Sequence, residues 1–363
     1  MQRRSFLKKA SLGAVAGTAT VAAPVFAQDA PTLNWRLASS FTRGLDTLFG
    51  TSEMFCRYVT EATGGKFNIR NFPGGEIVPP LQVLDAVEKN TVEMGHSCGY
   101  YYYGKDPILC FDTAVPFGLN ARQMNAWMYE GDGMKLTREA YSKYNIINFP
   151  MGNTGVQMGG WYRKEIKTVA DLKGLKMRLG GGLFGEAMAK LGVVAQNMPA
   201  GDVYQALEKG TLDATEFVGP YDDQKLGFNK VAPFYYYPGW WEGGAELEFF
   251  INNKAYAKLS DENKAILDAA TQVAARDMTA KYDAWNPIAL KQLVADKTKL
   301  KPFPKAVMDA GFKASMEVFA EHEAKSAEFK KIHQDMRAFQ RDQILWNRFS
   351  EFPFNQYINA AKI

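Results

Sequence analysis

The chain has 363 residues, a formal net charge of +4 at pH 7 and 47% apolar residues, so it is long and apolar enough to bury more than one core. It contains only three histidines and three cysteines. These counts argue against metal sites built from several histidines and against a disulfide framework. Cys56, Cys98 and Cys110 leave two interpretations open: one bridge, or three buried free thiols.

The N-terminus has the features of an export signal. Arg3 and Arg4 precede Phe-Leu-Lys, a weakly apolar stretch follows, and Val25 and Ala27 place small residues where a signal peptidase reads them. This pattern predicts a Tat-type signal peptide over residues 1–27, or a Sec signal, with cleavage after Ala27 and a periplasmic location. The four basic residues of the leader account for the whole net charge. The mature chain is therefore near neutral, which argues against a nucleic-acid partner.

The mature chain alternates predicted strands with predicted helices. In chain order these are a strand at 33–38, a helix at 45–62, a turn at 71–75, a helix from 83, a first apolar crossing at 149–161, a strand at 175–179, a helix at 184–191, a turn at 197–201, a helix from 203, a second crossing at 235–244, and amphipathic helices from 260 to 349. Such alternation predicts βαβ units with mainly parallel sheets, and therefore an α/β fold.

Two segments of the chain resemble each other. Residues 83–96 (VLDAVEKNTVEMGH) and 203–216 (VYQALEKGTLDATE) share five identical positions, and an Asn-x-Pro-x-Gly sequence precedes each. Asn90 and Gly210 end the two helices, as residues that tolerate a left-handed conformation do. A duplicated βαβ unit predicts two lobes that face each other across a cleft. The segments that follow the strands are then the expected cleft walls.

The predicted lobes are discontinuous in sequence. The first is expected to comprise residues 28–155 plus about 242–281, and the second residues 156–241 plus about 282–330. A helical tail follows at about 331–363.

Arg178 ends a predicted strand, so we expect its guanidinium to point into the cleft. Its planar fork suits a carboxylate ligand, and an interlobe salt bridge is an equally good interpretation. The glycines at 180, 182 and 185 also match a dinucleotide-binding fingerprint, and the alternative function is therefore a Tat-exported nicotinamide- or flavin-dependent oxidoreductase. Because bulky Leu183 and Phe184 interrupt the motif, a tight turn that lets a ligand approach the backbone is favoured.

Three oxygen-bearing side chains are expected to face the cleft: Gln157 in the first crossing, Glu216 after a strand, and Glu242 in the second crossing. Two carboxylates and an amide suit Na⁺ or Ca²⁺ rather than zinc. A pair of acids of the retaining-glycosidase type is the rival interpretation. The tyrosine runs at 100–103 and 235–237 are mainly expected to pack in the core, with one or two tyrosines lining the cleft.

Three stretches of the sequence resemble one known family. They are residues 152–161 (GNTGVQMGGW), 173–178 (KGLKMR) and 235–244 (YYYPGWWEGG). They are similar to the DctP-type substrate-binding subunits of TRAP transporters, and most similar to the branch that binds 2-oxo acids such as pyruvate, which has lactate-binding relatives. The resemblance covers nearly the whole mature chain.

The resemblance implies a two-lobed, periplasmic-binding-protein-like fold with a hinge, a ligand cleft between the lobes, and a long C-terminal helical segment that forms homodimers. It implies a receptor rather than an enzyme, which delivers a small carboxylate to the TRAP membrane permease. It also implies a bound cation, with Na⁺ favoured over Ca²⁺ and lactate with Ca²⁺ as the alternative ligand. The residues with implied roles are Arg178, Asn153, Tyr100 or Tyr101, and Phe217 for the substrate, and Gln157, Glu216, Glu242 and the Phe217 carbonyl for the cation. Family members carry Trp at the position of Phe217.

Overall fold

A computed structural model of the chain describes residues 32–361. The predicted signal peptide lies outside these residues. The strands of the described part are β1 (Leu33–Ser39), β2 (Phe67–Phe72), β3 (Met94–Ser97), β4 (Ile146–Asn153), β5 (Gly160–Tyr162), β6 (Lys176–Arg178), β7 (Val194–Gln196), β8 (Ala214–Thr215), β9 (Phe234–Tyr237), β10 (Glu246–Asn252) and β11 (Lys299–Pro302). The α-helices are α1 (Leu48–Ala62), α2 (Val83–Glu88), α3 (Ala121–Glu130), α4 (Gly133–Ser142), α5 (Leu183–Lys190), α6 (Ala200–Glu208), α7 (Pro220–Leu226), α8 (Asn253–Tyr256), α9 (Asp261–Ala295), α10 (Lys305–Lys325), α11 (Ala327–Asn347) and α12 (Glu351–Ala360).

The strands form two mixed sheets. The first sheet has the order β2-β1-β3-β10-β4, and the second has the order β11-β9-β5-β8-β6-β7. In the first sheet β1 pairs in parallel with β2 and β3. In the second sheet β6 pairs in parallel with β7 and β8. The alternating pattern of the sequence therefore predicted the α/β fold class correctly.

The two repeated segments occupy equivalent places in the two sheets. Each lies within a unit whose first strand sits between its second and third, as β2-β1-β3 and as β7-β6-β8. The helix of each repeat is followed by a residue with positive φ, which is 56° at Asn90 and 73° at Gly210. Asparagine and glycine tolerate this left-handed conformation, and it lets the chain turn from the helix into the next strand. The duplication seen in the sequence is thus a duplication of topology.

Two crossings connect the sheets, and each ends in an antiparallel strand. Residues 154–159 lead from β4 to β5, which pairs antiparallel with β8 and β9. Residues 238–245 lead from β9 to β10, which pairs antiparallel with β3 and β4. Both crossings are shorter than predicted, because residues 149–153 continue β4 and residues 235–237 belong to β9.

The C-terminal helices pack on both halves. Helix α9 contacts α1 and β4 on the first-sheet side and α7 on the second-sheet side. Helix α10 packs on α5, whereas α11 packs on α3 and α4. The amphipathic helices predicted up to residue 349 are present as α10 and α11, which are separated at Ser326. The Ser326 hydroxyl accepts a hydrogen bond from the backbone N–H of Phe329 and so caps α11. No helix within residues 32–361 is long and apolar enough to cross a membrane.

Candidate ligand and cation site

A narrow cavity lies where the carboxyl ends of the parallel strands of both sheets meet the two crossings. This is where a ligand is expected in an α/β fold. One wall comes from the first-sheet side and is mostly apolar, with the side chains of Phe41, Leu48, Cys98, Ala245 and Leu247. The opposite wall contains Arg178, Phe217 and Val218, which follow or end β6 and β8. Tyr100, Tyr101, Thr154 and Gln157 complete the lining.

Arg178 is buried at the end of β6, and its guanidinium is held on one side only. Its Nε donates to the Met198 carbonyl at 3.0 Å, and its Nη1 donates to the Glu216 carbonyl at 3.0 Å and to Glu216 Oε1 at 2.7 Å. None of the described residues accepts a hydrogen bond from Nη2. The salt bridge with Glu216 lies within the second-sheet side rather than across the cleft, and it leaves one edge of the fork turned to the cavity.

Glu216 has one occupied and one unoccupied carboxylate oxygen. Its Oε1 accepts from Arg178 and from the backbone N–H of Gly180. Its Oε2 is buried and has no hydrogen-bond partner. Burial raises the pKa of Glu216 to about 7, although the charge of Arg178 acts in the opposite direction. The carboxylate therefore presents an unpaired oxygen that favours a positively charged partner.

Glu242 and Gln157 present further unpaired oxygens. Both carboxylate oxygens of Glu242 are buried without a hydrogen-bond partner, and so is Gln157 Oε1. Burial, and then the neighbouring charge of Glu216, raise the pKa of Glu242 well above its usual value, while the nearby Tyr100 hydroxyl acts in the opposite direction without reaching hydrogen-bond geometry. Leaving a buried acceptor unpaired costs about 1–3 kcal/mol. Four such oxygens occur on these three side chains, and Glu216 and Glu242 are close enough for their charges to interact.

Backbone hydrogen bonds fix the segments that carry these oxygens. Gln157 N donates to the Glu242 carbonyl at 3.2 Å, and Gly239 N donates to the Gln157 carbonyl at 2.9 Å. Met158 N donates to the Val218 carbonyl at 3.0 Å. A Cβ at Gly239 would lie 2.7 Å from the Met158 carbonyl oxygen, so the crossings approach this closely only with glycine there. The oxygens are thus held on a rigid framework.

Asp223 supports the same region from behind, and the sequence analysis missed it. Its carboxylate accepts from Trp161 Nε1 at 2.9 Å, from the Tyr235 hydroxyl at 2.7 Å and from Val218 N at 3.2 Å. Asp223 is buried. The sequence does contain a signal for Asp223. It is an acidic residue in α7, the helix that directly follows the candidate residues Glu216 and Phe217.

Tyr100 and Tyr101 both line the cavity, and Tyr100 is the more buried of the two. Tyr100 also covers the glycine turn before α5. A Cβ at Gly180 would lie 3.0 Å from the Tyr100 ring, and one at Gly181 would lie 3.1 Å from its carbonyl oxygen. The turn is therefore packed against Tyr100, which leaves no exposed helix N-terminus for the pyrophosphate of a dinucleotide.

Asn153 lies beside the cavity but not in its wall. Its Nδ2 donates to Glu246 at 3.0 Å, and its Oδ1 accepts from Gly155 N at 2.9 Å. Both ends of the amide are thus bonded to protein. Thr154, which the sequence analysis did not select, does line the cavity, and its hydroxyl accepts from Gln157 Nε2 at 3.1 Å.

Phe217 lies in the cavity wall, and its ring is 5.5 Å from the Arg178 guanidinium carbon. His96, at the end of the first repeat, is buried in the core, where burial lowers its pKa to about 3. It is therefore a neutral core residue. All three cysteines are buried and free, which decides between the two interpretations left open by the sequence.

The donor set suits a hard cation. Residues 32–361 contain no group of three or more His, Cys, Asp or Glu side chains placed to hold a metal, so a zinc-type site is not present in this part of the chain. The unpaired oxygens are instead an amide oxygen of Gln157, which lines the cavity, and carboxylate oxygens of Glu216 and Glu242, which lie beside it and are not part of its lining. Sodium and calcium prefer such oxygen ligands. The residues present therefore fit the cation that the sequence led us to expect.

Comparison with known proteins agrees with this geometry. The family model described as DctP, bacterial extracellular solute-binding protein family 7, matches residues 38–326. A monocarboxylate 2-oxoacid-binding periplasmic protein of Nostoc sp. is 46% identical over 367 residues and covers 100% of both chains.

Two solved structures extend the similarity to the fold. A TRAP transporter solute-binding protein from Bordetella bronchiseptica has 50% identity and a TM-score of 0.90, and the match covers 91% of this chain and 98% of that one. It is a mixed-occupancy dimer with copurified calcium and picolinate in one site. A TRAP periplasmic solute-binding protein from Pseudoalteromonas atlantica has 40% identity and a TM-score of 0.87, and the match covers 91% of this chain and 100% of that one. It contains sodium and pyruvate.

Proposed function

The chain belongs to the DctP family of bacterial extracellular solute-binding proteins, the receptors of TRAP transporters, and we propose that this receptor binds a 2-oxo monocarboxylate such as pyruvate together with a metal cation. It then delivers the ligand, chemically unchanged, to the membrane permease. The ligands of the two solved relatives support this choice, because pyruvate and picolinate are both small monocarboxylates and each was found with a cation.

One observation carries the proposal: the unpaired polar atoms of the cavity match both parts of the ligand. The free edge of the Arg178 guanidinium suits a carboxylate. The unpaired oxygens of Gln157, Glu216 and Glu242 suit a cation. Each group would be costly to bury without such a partner, which explains why Arg178 and Gln157 line one cavity and the two glutamates lie beside it.

We assign the remaining roles on the same basis. The carbonyl of Phe217 completes the cation site, and its ring packs beside the carboxylate held by Arg178. Tyr100 and Tyr101 orient the ligand from the first-sheet side. Asn153 acts indirectly, since its amide holds the first crossing against Glu246. Sodium is the proposed ion with pyruvate, and calcium is the alternative.

Binding is coupled to closure of the two lobes, which we place at residues 28–155 plus about 242–281 and residues 156–241 plus about 282–330. A buried hydrogen bond of 2.7 Å from the Thr47 hydroxyl to Asp222 supports this, because it joins the segment before α1 to helix α7 of the other side. Closure excludes water from the cavity and so strengthens the contacts made by Arg178 and the cation.

The proposal is tested by replacing Arg178 with lysine, which keeps the charge beside Glu216 but removes the planar fork. We expect pyruvate affinity in calorimetry to fall by about 10- to 100-fold, the loss of one charge-assisted contact. Arg163→Lys, the same change at an exposed arginine outside the cavity lining, is the control. Unchanged affinity of the Arg178→Lys protein would show that the carboxylate binds elsewhere.

The cation is tested separately. Protein dialysed into a buffer that contains only a bulky organic cation should lose pyruvate binding, and Na⁺ or Ca²⁺ should restore it. Elemental analysis of protein purified without chelator identifies the resident ion. Mass spectrometry of ligand released by denaturation should recover an unmodified carboxylate. A bound nicotinamide or flavin would contradict the assignment as a receptor.

We also propose that the C-terminal helices form a homodimer. The end of α11 and helix α12 expose a run of large apolar side chains, with Phe349 77% and Tyr357 75% exposed. Apolar clusters of this kind mark association surfaces. The double variant Phe354→Asp, Tyr357→Asp should be monomeric in light scattering while it still binds pyruvate; a dimer that persists would place the interface elsewhere.

Export through the twin-arginine route with cleavage after Ala27 remains part of the proposal. N-terminal sequencing of the secreted protein tests the cleavage site. Replacement of both Arg3 and Arg4 by lysine tests the route, since it should block secretion if the protein is exported through the twin-arginine system.

A further inference from the structure

Helix α7 begins with two adjacent buried aspartates whose side chains reach different parts of the molecule. Asp222 and Asp223 are 0% and 1% exposed, and both lie in its first turn. Because an α-helix turns by roughly 100° per residue, neighbouring side chains point in different directions. Asp222 contacts the first-sheet side, whereas Asp223 contacts the strands of the second sheet. Consecutive residues of one short helix therefore touch both sides of the cleft.

Asp222 is held by two hydroxyl donors, one of them from the first-sheet side. Its Oδ1 accepts from Thr47 at 2.7 Å, and its Oδ2 accepts from Tyr282 of α9 at 2.6 Å. Thr47 stands at the N-cap of α1, where a threonine side chain ordinarily accepts a hydrogen bond from the helix, but it makes no such bond. Its hydroxyl donates to α7 instead. The next residue, Leu48, lines the cavity, so this bond holds one cavity wall against α7.

Asp223 fixes the segment 216–218, which carries two of the proposed cation ligands. Its Oδ1 accepts from the backbone N–H of Val218 at 3.2 Å. Its Oδ2 accepts from Trp161 Nε1 at 2.9 Å and from the Tyr235 hydroxyl at 2.7 Å. The two rings stack with their centroids 3.9 Å apart. The carboxylate thus ties Val218, which itself lines the cavity, to a rigid pair of rings on β5 and β9.

The connection between the two carboxylates is short and stiff, because they belong to consecutive residues of one helical turn. A displacement of α7 that follows loss of the Thr47 bond would therefore move Asp223, and Val218 with it. Lys225 and Asp46 form an ion pair that runs beside the Thr47 bond, but their side chains are 33% and 50% exposed. Exposed ion pairs of this kind contribute little. The buried bond is the main mechanical link.

We propose that Asp222 and Asp223 are positioning residues that couple closure of the lobes to the geometry of the segment 216–218. When the first-sheet side is in place, Thr47 fixes α7, and Asp223 then holds the Val218 amide and the cation ligands that precede it. A filled cation site favours closure in return, since coupling between two sites is reciprocal. This inference deepens the proposed function and rests on it.

The first test is a double-mutant cycle on the mature protein with sodium present. Thr47→Val removes the donor to Asp222, and Asp223→Asn leaves one acceptor oxygen for three donors. If both changes act through one helix, their losses of pyruvate affinity overlap. We expect calorimetry to show that the double variant binds at least about threefold more tightly than the product of the single losses predicts. Thr47→Val combined with Ser315→Ala, which loses a hydrogen bond only within α10, should follow the product.

Hydrogen exchange tests the link without relying on affinity. With sodium and pyruvate added, Thr47→Val should accelerate exchange of the amides at 216–223 by at least about threefold, although Thr47 lies on the other side of the cleft. Thr47→Ser keeps the hydroxyl and should exchange as the wild type does. Residues 176–190, which comprise β6 and α5 of the same half, should be unchanged in both variants, which excludes a general loss of stability.

An affinity of the double variant equal to the product overturns the inference, and so does unchanged exchange at 216–223 in the Thr47→Val protein. The proposed function stands in either case if the wild type binds pyruvate. Failure of the wild type to bind pyruvate under any cation condition refutes the proposed function. The exchange experiment then still decides whether α7 links the two sides of the cleft.

Discussion

Glu242 offers the sharpest test of the site, because stability and function should change in opposite directions there. Both of its carboxylate oxygens are buried and have no hydrogen-bond partner among the described residues, next to the charge of Glu216. Glu242→Gln removes the buried acid, and the new amide group can donate to the unpaired oxygens of Glu216 and Gln157. We therefore expect the cation-free variant to be more stable than the wild type and unable to bind pyruvate.

The magnitude follows from the unpaired groups. A buried acceptor without a partner costs about 1–3 kcal/mol, so satisfying one or two should raise the free energy of unfolding by about that amount. The corresponding increase in Tm is roughly 2–4 °C per kcal/mol for a protein of a few hundred residues. Pyruvate at about 100 times its Kd should raise the free energy of unfolding of the wild-type protein by about 2.7 kcal/mol, and it should leave that of the variant unchanged.

Glu246→Gln is the matched control. Glu246 is as buried as Glu242 and lies four residues further along, but its oxygens accept from Gly152 N at 3.1 Å and from Asn153 Nδ2 at 3.0 Å. In the Glu246→Gln variant the new NH₂ group would face one of these two N–H donors, so the folded protein should lose stability. Glu246 is not among the proposed cation ligands, so the variant should keep its cation. Thermal unfolding with and without sodium and pyruvate measures both effects. Stability changes of the same sign in the two variants would refute the reasoning.

Two further predictions concern residues outside the cavity. Thr47→Val removes the 2.7 Å hydrogen bond to Asp222, and pyruvate affinity in calorimetry should fall by about tenfold or more. The control is Thr51→Val, which loses only a hydrogen bond to the Thr47 carbonyl within the same segment and should keep its affinity. Equal affinity of both variants and the wild type would exclude a role for the Thr47–Asp222 bond in closure. Burial raises the pKa of Asp112 in the folded protein to about 7. As pH rises, this carboxyl therefore ionises in the unfolded chain before it ionises in the folded one. The free energy of unfolding should then fall between about pH 4 and 7, by up to about 1.4 kcal/mol per pH unit. Asp112→Asn lacks this loss, so its free energy of unfolding relative to wild type, measured in urea, should increase with pH over that range; a difference that stays constant with pH would contradict the prediction.

Much of the fold was predictable because it depends on local patterns. Alternating strands and helices predicted the α/β class, and the repeat at 83–96 and 203–216 predicted two equivalent units, which the sheets confirm as β2-β1-β3 and β7-β6-β8. The ends of the crossings were predicted less well. Residues 149–153 and 235–237 are apolar and could continue a strand or leave it, and only pairing with β10 and β5 makes them strands.

The candidate site was predictable in part for the same reason. Arg178 and Glu216 directly follow or end parallel strands, and this position in an α/β fold faces the cleft. Asp223 and Thr154 were missed. Their importance depends on partners that are distant in sequence, such as Trp161 and Tyr235 for Asp223, and no local pattern reports such a partner.

The sequence by itself predicts a leader, and it determined the α/β class, the duplication and the type of side chain at each proposed cleft position, because these depend on residue identity and on short-range periodicity. The tertiary structure alone decided how those side chains share their hydrogen bonds. It pairs one oxygen of Glu216 with Arg178 and Gly180 and leaves the other unpaired, together with those of Glu242 and Gln157. Whether a buried oxygen has a partner depends on all the segments that meet around it, and this is the physical reason that the unpaired oxygens could be identified only in the folded chain.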